Sequence, residues 1–179
     1  RYAPNYLEIT LGVTAETASR LFSCFPILAM VLTPFLGAFL DFKGKGASML
    51  MAGAIIMIVC HLSFAFVLPA FPSKALALVL IVTLGVSFSL VPAALWPSVP
   101  KIIDEKILGS AYCLIFWVQN IGLCLVPLLI GATLQGTGGY MVPMIIFSSF
   151  GVMAFLLSFL LKIEDKKKGY GLEEANIQK

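Results

Sequence analysis

The residues best suited to a polar contact in this apolar chain lie between Gly37 and Gly46, in the stretch GAFLDFKGKG. Asp41 stands at the carbonyl end of a predicted helix, where partial negative charge disfavours a carboxylate. Its oxygens therefore need donors from outside that helix, and the start of another helix offers unsatisfied N–H groups. Gly37, one turn earlier, leaves room for a second helix to approach. This spacing indicates a hydrogen-bonded contact between helices.

The same stretch has the composition of a tight turn. Gly44 and Gly46 tolerate backbone conformations that other residues avoid, so they permit a close reversal of the chain. Lys43 and Lys45 keep the turn at a polar surface. We therefore expect two helices to meet here, with Asp41 at the end of the first.

Other reactive residue types are too scattered to form a catalytic or metal site. His61 is the only histidine, and the four cysteines stand singly inside apolar stretches, at positions 24, 60, 113 and 124. The sequence has no HExxH and no CxxC. We therefore expect no enzyme, no metal and no cofactor. We interpret His61 as a neutral side chain bonded to a neighbouring Ser, Thr or carbonyl oxygen.

Composition defines the elements that must position these residues. Of the 179 residues, 60% are hydrophobic and 12% are charged, and the mean hydropathy is +1.00. Soluble domains carry roughly 25% charged residues. Five apolar blocks are each long enough to cross about 30 Å of hydrocarbon as a helix. They are roughly Leu21–Leu40, Ala47–Leu68, Ala75–Trp96, Ile107–Leu134 and Tyr140–Leu161. The sequence predicts an all-α integral membrane protein with five complete spans.

Charge distinguishes the two sides of the predicted bundle. Nine lysines fall on one side if the helices alternate in direction, whereas Arg1, Arg20 and Lys74 fall on the other. The positive-inside rule assigns the lysine-rich side, and with it the C-terminus, to the cytoplasm. We interpret the net charge of +3 as a mark of topology and expect no nucleic-acid partner.

The two ends of the chain differ in character. The opening RYAPNYLEIT has neither Met nor a signal sequence, and it suits the outer end of a preceding membrane helix. We therefore expect a truncated chain in which residues 1–13 end a sixth helix and form an outer loop. Residues 14–161 would contain the five spans, with Thr14 as the first N-cap, and residues 162–179 a solvated cytoplasmic tail.

Two stretches resemble a known family. Gly37, Asp41, Gly44 and Lys45 fit the loop signature G-x-L-x-D-x-x-G-R-K of the major facilitator superfamily. The departures are Phe42, where a basic residue is usual, and Lys for Arg at position 45. The elements ALWP, LG-x-AY and QN-x-GL, between residues 94 and 123, are similar to the branch containing the lysosomal dipeptide uniporter and its bacterial relatives.

This resemblance implies a fold of two six-helix bundles, with this chain as the second, from the end of helix 7 through helix 12. Its implied partner is the missing N-terminal half of the same transporter. By the pseudo-symmetry of the halves, Asp41 would pair with the start of a helix in the other half and latch the cytoplasmic face shut. Gly37, Asp41, Gly44 and Lys45 are then gating residues and not substrate ligands.

The resemblance also places the first, third and fourth apolar blocks around a central cavity. The candidate cavity residues are Arg20, Tyr112, Trp117, Gln119 and Asn120. Arg20 can pair with Glu16 on its own helix or meet the carboxylate of a substrate. The two adjacent amides can line the cavity or bond a neighbouring helix, and the two aromatic side chains can contact substrate or pack in the core.

The predicted function is transmembrane transport of a small organic solute by alternating access, with short peptides as the cargo that the resemblance suggests. The alternative is a noncatalytic membrane assembly or channel subunit. No carboxylate falls in the middle of an apolar block, so we expect any proton relay in the missing half, or a facilitator. The expected surroundings are the lipid bilayer of a bacterial inner (plasma) membrane.

Overall fold

Six helices form the part of the chain that the structure describes, which is residues 2–177 of a computed structural model. They are α1 (Tyr2–Leu11), α2 (Ala15–Lys43), α3 (Gly46–Ala70), α4 (Lys74–Ile102), α5 (Leu108–Thr137) and α6 (Met141–Lys168). The described residues contain no strand. Helices α2 to α6 have the length and composition of membrane spans. The predicted helical membrane fold with five spans is confirmed.

Local sequence sets where these helices begin. Thr14 caps α2 as predicted, because its hydroxyl oxygen accepts a hydrogen bond from the Thr17 N–H at 3.3 Å. Before α5, Asp104 caps the short 3₁₀ turn Glu105–Ile107 and accepts from the Lys106 N–H at 2.9 Å. Both caps satisfy N–H groups that have no partner inside their own helix.

Pro69 changes the hydrogen bonding of α3 near its end. Proline has no N–H and its ring crowds the preceding turn, so the regular α-helical pattern cannot continue through it. The preceding residues Ser63–Val67 widen into a π-helical turn, in which the Leu68 N–H donates to the Ser63 carbonyl. The helix thereby continues as one span of 25 residues.

Helix α4 is central to the bundle. Helix α2 packs along it, and α3 packs against both α4 and α6. The contact between α3 and α4 depends on small residues: Gly53 lies against Ser87, whose hydroxyl donates to the Gly53 carbonyl at 2.7 Å. Gly151 of α6 lies against Ile58 of α3 in the same way. Small side chains let helix backbones approach closely in lipid, where van der Waals packing drives association.

Burial is uneven among the five spans. In α4, 39% of the most apolar stretch is buried inside the bundle, whereas the corresponding share is 6% in α2 and 6% in α5. Helix α5 packs mainly against α6 and to a smaller extent against α4, and the Tyr2 hydroxyl of α1 donates to its Pro127 carbonyl at 3.4 Å. Helices α2 and α5 therefore have few fully buried residues in these stretches.

One end of the bundle collects the lysines, and we call it the lysine-rich end. The α2–α3 turn lies at this end together with the ends of α4 and α6. Lys162 of α6 donates to the Ser48 hydroxyl of α3 at 2.6 Å, and Lys101 of α4 donates to the Gly171 carbonyl, which follows α6, at 2.8 Å. Helix α6 continues to Lys168, seven residues beyond the predicted apolar block, since charged residues are good helix formers outside the hydrocarbon.

Candidate gate and cavity residues

The turn between α2 and α3 consists of Gly44 and Lys45. Gly44 has φ +72° and ψ −142°, a backbone conformation that almost only glycine adopts. Lys45 follows in the left-handed conformation with φ +70°. We had expected Gly46 to take part in the reversal, but it is the first residue of α3. Its missing side chain leaves room for the Leu172 carbonyl, which lies 3.0 Å from where a Cβ would stand.

Asp41 lies in the last turns of α2 and is half-buried. Its Oδ1 accepts a hydrogen bond from the Asn176 side-chain amide at 2.7 Å, and its main-chain carbonyl accepts from the Ile177 N–H at 3.0 Å. Among the described residues, the donors that we predicted from another helix thus come from the C-terminal segment. The pairing of Asp41 with a second half stays a prediction.

The C-terminal segment Tyr170–Ile177 covers this turn, and we call it the tail strap. Leu172 anchors it, since its side chain is only 1% exposed. The Leu172 N–H donates to the carboxylate of Asp165, which is itself buried in the last turn of α6, at 3.0 Å. This packed segment differs from the solvated tail that the surrounding charges predicted.

Gly37 lies on an open face of α2. Apart from its own helix and chain neighbours, no atom of the described residues comes within 4 Å of the position that a Cβ would take there. The close helix contact predicted for Gly37 is therefore not made within residues 2–177.

Arg20 forms an ion pair with Glu16 on its own helix. The guanidinium nitrogen and the carboxylate oxygen are 2.7 Å apart, one helical turn separates the residues, and both side chains are more than 70% exposed. This geometry favours the intrahelical interpretation of Arg20. An exposed pair of this kind leaves the guanidinium accessible to a ligand, because solvent screens the attraction to Glu16.

The aromatic candidates on α5 have different surroundings. The Tyr112 hydroxyl donates to the Trp96 carbonyl of α4 at 3.2 Å, and the rings of Trp96 and Phe116 stack with centroids 4.9 Å apart. Tyr112 therefore helps to join α5 to α4. Trp117 is 64% exposed and lies outside this cluster.

The two amide candidates, Gln119 and Asn120, are exposed on α5. The Asn120 side chain donates to the Phe116 carbonyl of its own helix at 2.7 Å. The structure therefore places four candidates on α5 and Arg20 in the first turns of α2, and whether they line one cavity stays a prediction. An amide on an outward apolar face is costly in lipid, which favours a polar environment for this face.

An apolar cavity of about 280 Å³ is lined by residues of all six helices, and none of the five candidate residues lines it. His61 is in its wall, and its Nδ1–H donates to the Met57 carbonyl at 2.8 Å. The predicted bond from His61 to a neighbouring carbonyl is confirmed. The cavity wall is mainly aromatic and aliphatic and contains no Asp, Glu, Lys or Arg, so it offers no charged partner for the ends of a peptide.

The sequence matches the Major Facilitator Superfamily over residues 2–176. The chain therefore belongs to this superfamily, and the resemblance inferred from the α2–α3 turn and from α4 and α5 is confirmed. The match extends through α1 and the tail strap, beyond the stretches that carried the resemblance.

Three relatives share this similarity over most of the chain, and each is named lysosomal dipeptide transporter MFSD1. The protein of Danio rerio is 32% identical over 161 residues, which are 90% of this chain and 33% of that protein. The Bos taurus protein is 29% identical over the same length, and the Homo sapiens protein is 27% identical over 168 residues, or 35% of its length. The chain thus spans about a third of the length of these relatives.

Proposed function

We propose that this chain is the second half of an alternating-access transporter that carries short peptides across a membrane. The observation that carries the proposal is the similarity to proteins named dipeptide transporters over 90% or more of this chain. Because the chain spans only about a third of those proteins, a complete cargo site requires the other half.

The uneven burial of the spans supports a partner half. Helices α2 and α5 have few fully buried residues in their most apolar stretches, and α5 also carries exposed amides. Lipid is a poor environment for an unpaired amide, whereas a water-filled cavity between two halves is a suitable one. We propose that this face, with Trp117, Gln119, Asn120 and the accessible Arg20, forms half of the cargo cavity.

Gating is proposed for the α2–α3 turn. Gly37 is open toward a partner, and Asp41 lies one turn further along the same helix. A carboxylate there can accept hydrogen bonds from the start of a helix in the other half, where N–H groups are free. Closing this contact would seal the lysine-rich end when the cavity opens on the opposite side.

The chain is an integral membrane protein, and we propose that its lysine-rich end faces the cytoplasm. Lys43, Lys101 and Lys162 all lie at that end, whereas Arg20 and Lys74 lie near the opposite starts of α2 and α4. The relatives are vertebrate proteins with a lysosomal name, so they do not support the bacterial inner membrane predicted above. The charge asymmetry supports the same orientation in either membrane.

Dipeptide uptake into liposomes that contain the full-length protein tests this function. A mixed set of dipeptides is supplied with and without a proton gradient, beside an Asp41→Ala variant and an Asp104→Ala control. Asp104 is also a carboxylate at the lysine-rich end, but it caps its own turn. We expect saturable uptake that does not need the gradient, falls at least tenfold in Asp41→Ala and is nearly unchanged in Asp104→Ala.

Two outcomes would contradict parts of the proposal. If correctly folded protein takes up no dipeptide under either condition, the cargo assignment fails. If uptake is unchanged in Asp41→Ala, the peptide assignment stands and the gate assignment fails.

A further inference from the structure

The start of α3 is capped by the tail strap and not by its own loop. N–H groups at a helix start have no partner inside the helix. The N–H of Lys45 donates to the Glu173 carbonyl at 3.1 Å, and that of Gly46 donates to the Leu172 carbonyl at 2.8 Å. The Ser48 N–H donates to the Glu173 carboxylate at 2.8 Å. Lys45, the N-cap residue, makes no side-chain cap of its own.

Glu173 also connects the strap to α6. Its carboxylate accepts from the Ser48 hydroxyl at 2.7 Å, and Lys162 of α6 lies 3.7 Å from it while donating to the same hydroxyl. A carboxylate at a helix start is favoured by the helix dipole, and the nearby lysine adds attraction. Glu173 therefore has an electrostatic reason to stay docked.

The remainder of the strap reaches α2 and α4. Asn176 holds the Asp41 carboxylate, and Lys101 of α4 donates to the carbonyls of Gly171 and Glu174 at 2.8 Å and 3.2 Å. The strap and the turn are also in backbone contact, since a Cβ on Gly44 would lie 2.5 Å from the Glu173 carbonyl. One short segment thus fixes four helices at the end that carries Asp41.

We infer that the tail strap positions the α2–α3 turn, the proposed gate, and that Glu173 and Asn176 are the positioning residues. Within residues 2–177 the hydrogen bond to the Asp41 carboxylate is made at Oδ1, so Oδ2 can still accept a donor from the other half. Asn176 thereby orients the carboxylate, and Glu173 fixes the start of α3 that follows the turn. The inference rests on the gate assignment proposed above.

Hydrogen exchange measures the positioning directly, without a substrate. In the full-length protein in lipid nanodiscs, we expect the amides of Lys45, Gly46 and Ser48 to be protected. Glu173→Ala removes the side-chain acceptor of the Ser48 N–H, whose exchange should speed up about fivefold, the loss expected for removing a helix cap. Lys45 and Gly46 keep their carbonyl acceptors, so their exchange should speed up less, through loosening of the strap. Glu173→Gln keeps a side-chain acceptor and should restore most of the protection. Glu164→Ala, an exposed carboxylate on α6, is the control that should change nothing.

Uptake kinetics test the consequence for the gate. Two variants, Glu173→Ala and Asn176→Ala, should each lower the maximal uptake rate several-fold. The KM should stay nearly unchanged, because the α2–α3 turn does not touch the cargo in the proposed mechanism. Asn176→Asp should lower the rate at least as much, since it sets a like charge beside Asp41. Glu173→Gln should recover most of the rate.

The outcomes separate the strap from the transport assignment. Unchanged exchange at residues 45–48 in Glu173→Ala overturns the inference, and so does faster exchange with an unchanged maximal rate. If the wild-type protein takes up no dipeptide, the proposed cargo fails, and exchange at these amides alone then decides whether the strap positions the loop.

Discussion

At the α2–α3 turn, the sequence predicts which residue allows the reversal but not which residues donate hydrogen bonds to Asp41. The need for glycine at a tight reversal is a local property, so Gly44 could be predicted. The donors to Asp41 could not, because Asn176 is far away in the sequence and lies in a segment whose charges indicate solvent exposure. The available signal was Leu172, the one leucine of a tail rich in charged residues.

Gly44→Ala should destabilise the protein more than an ordinary substitution of a glycine in a turn. The new Cβ is strained at φ +72° and would also meet the strap backbone at 2.5 Å. We expect a loss of about 2 to 4 kcal/mol, since backbone strain alone costs on the order of 1–3 kcal/mol. Thermal unfolding of the full-length protein in detergent would measure it.

Gly138→Ala is a comparison with a similar φ but with ψ 8°, in the left-handed region that other residues tolerate better than the conformation of Gly44. Gly138 also has a positive φ, +67°, but no atom of the described residues lies within 4 Å of its missing Cβ. It should cost only the strain, roughly 1 kcal/mol. Equal losses in the two variants would mean that the strap does not press on Gly44.

At the scale of the helices, the hydrophobicity of the sequence predicted the number of spans. The spacing of apolar residues along each span did not predict which helices pack together. The five apolar blocks match the helices α2 to α6, with two of them starting one residue before the α-helix, because about 20 apolar residues in lipid have no alternative to a helix. Their ends moved where polar groups continue a helix, as in α6, which runs on to Lys168. Packing partners depend on small residues such as Gly53 and Ser87, whose pairing needs three-dimensional coordinates.

Gly53→Leu should weaken the contact between α3 and α4. A Cβ at this position lies 3.2 Å from the Ser87 carbonyl and 3.3 Å from the Leu90 Cβ, so a larger side chain forces the helices apart. Overpacking of this kind costs about 1–3 kcal/mol. The melting temperature of the purified full-length protein should fall, whereas Val59→Leu, on an exposed face of the same helix, should leave it nearly unchanged. Equal melting temperatures would contradict the close α3–α4 contact.

At the scale of the whole molecule, the chain has a core but also two helices, α2 and α5, with few fully buried residues. Helix α4 has neighbours on several sides, whereas α2 and α5 bury 6% of their most apolar stretches. The candidate residues on α5 were identifiable from sequence because polar groups in apolar blocks are uncommon and conspicuous. What faces them could not be identified, since the proposed second wall of the cavity is outside this chain.

This division of the cavity leads to a prediction about separated halves. The 179-residue chain alone should not transport dipeptides, because the proposed second cavity wall and the proposed partner of Asp41 both belong to the other half. When it is coexpressed with the first half as a separate polypeptide, a measurable part of full-length uptake should return. The exposed faces of α2 and α5 can then pack against the first half. Uptake into liposomes after copurification would test this, with each half alone as the control. Saturable uptake by the folded 179-residue chain alone would contradict the two-half arrangement, because the cargo path would then lie within these six helices.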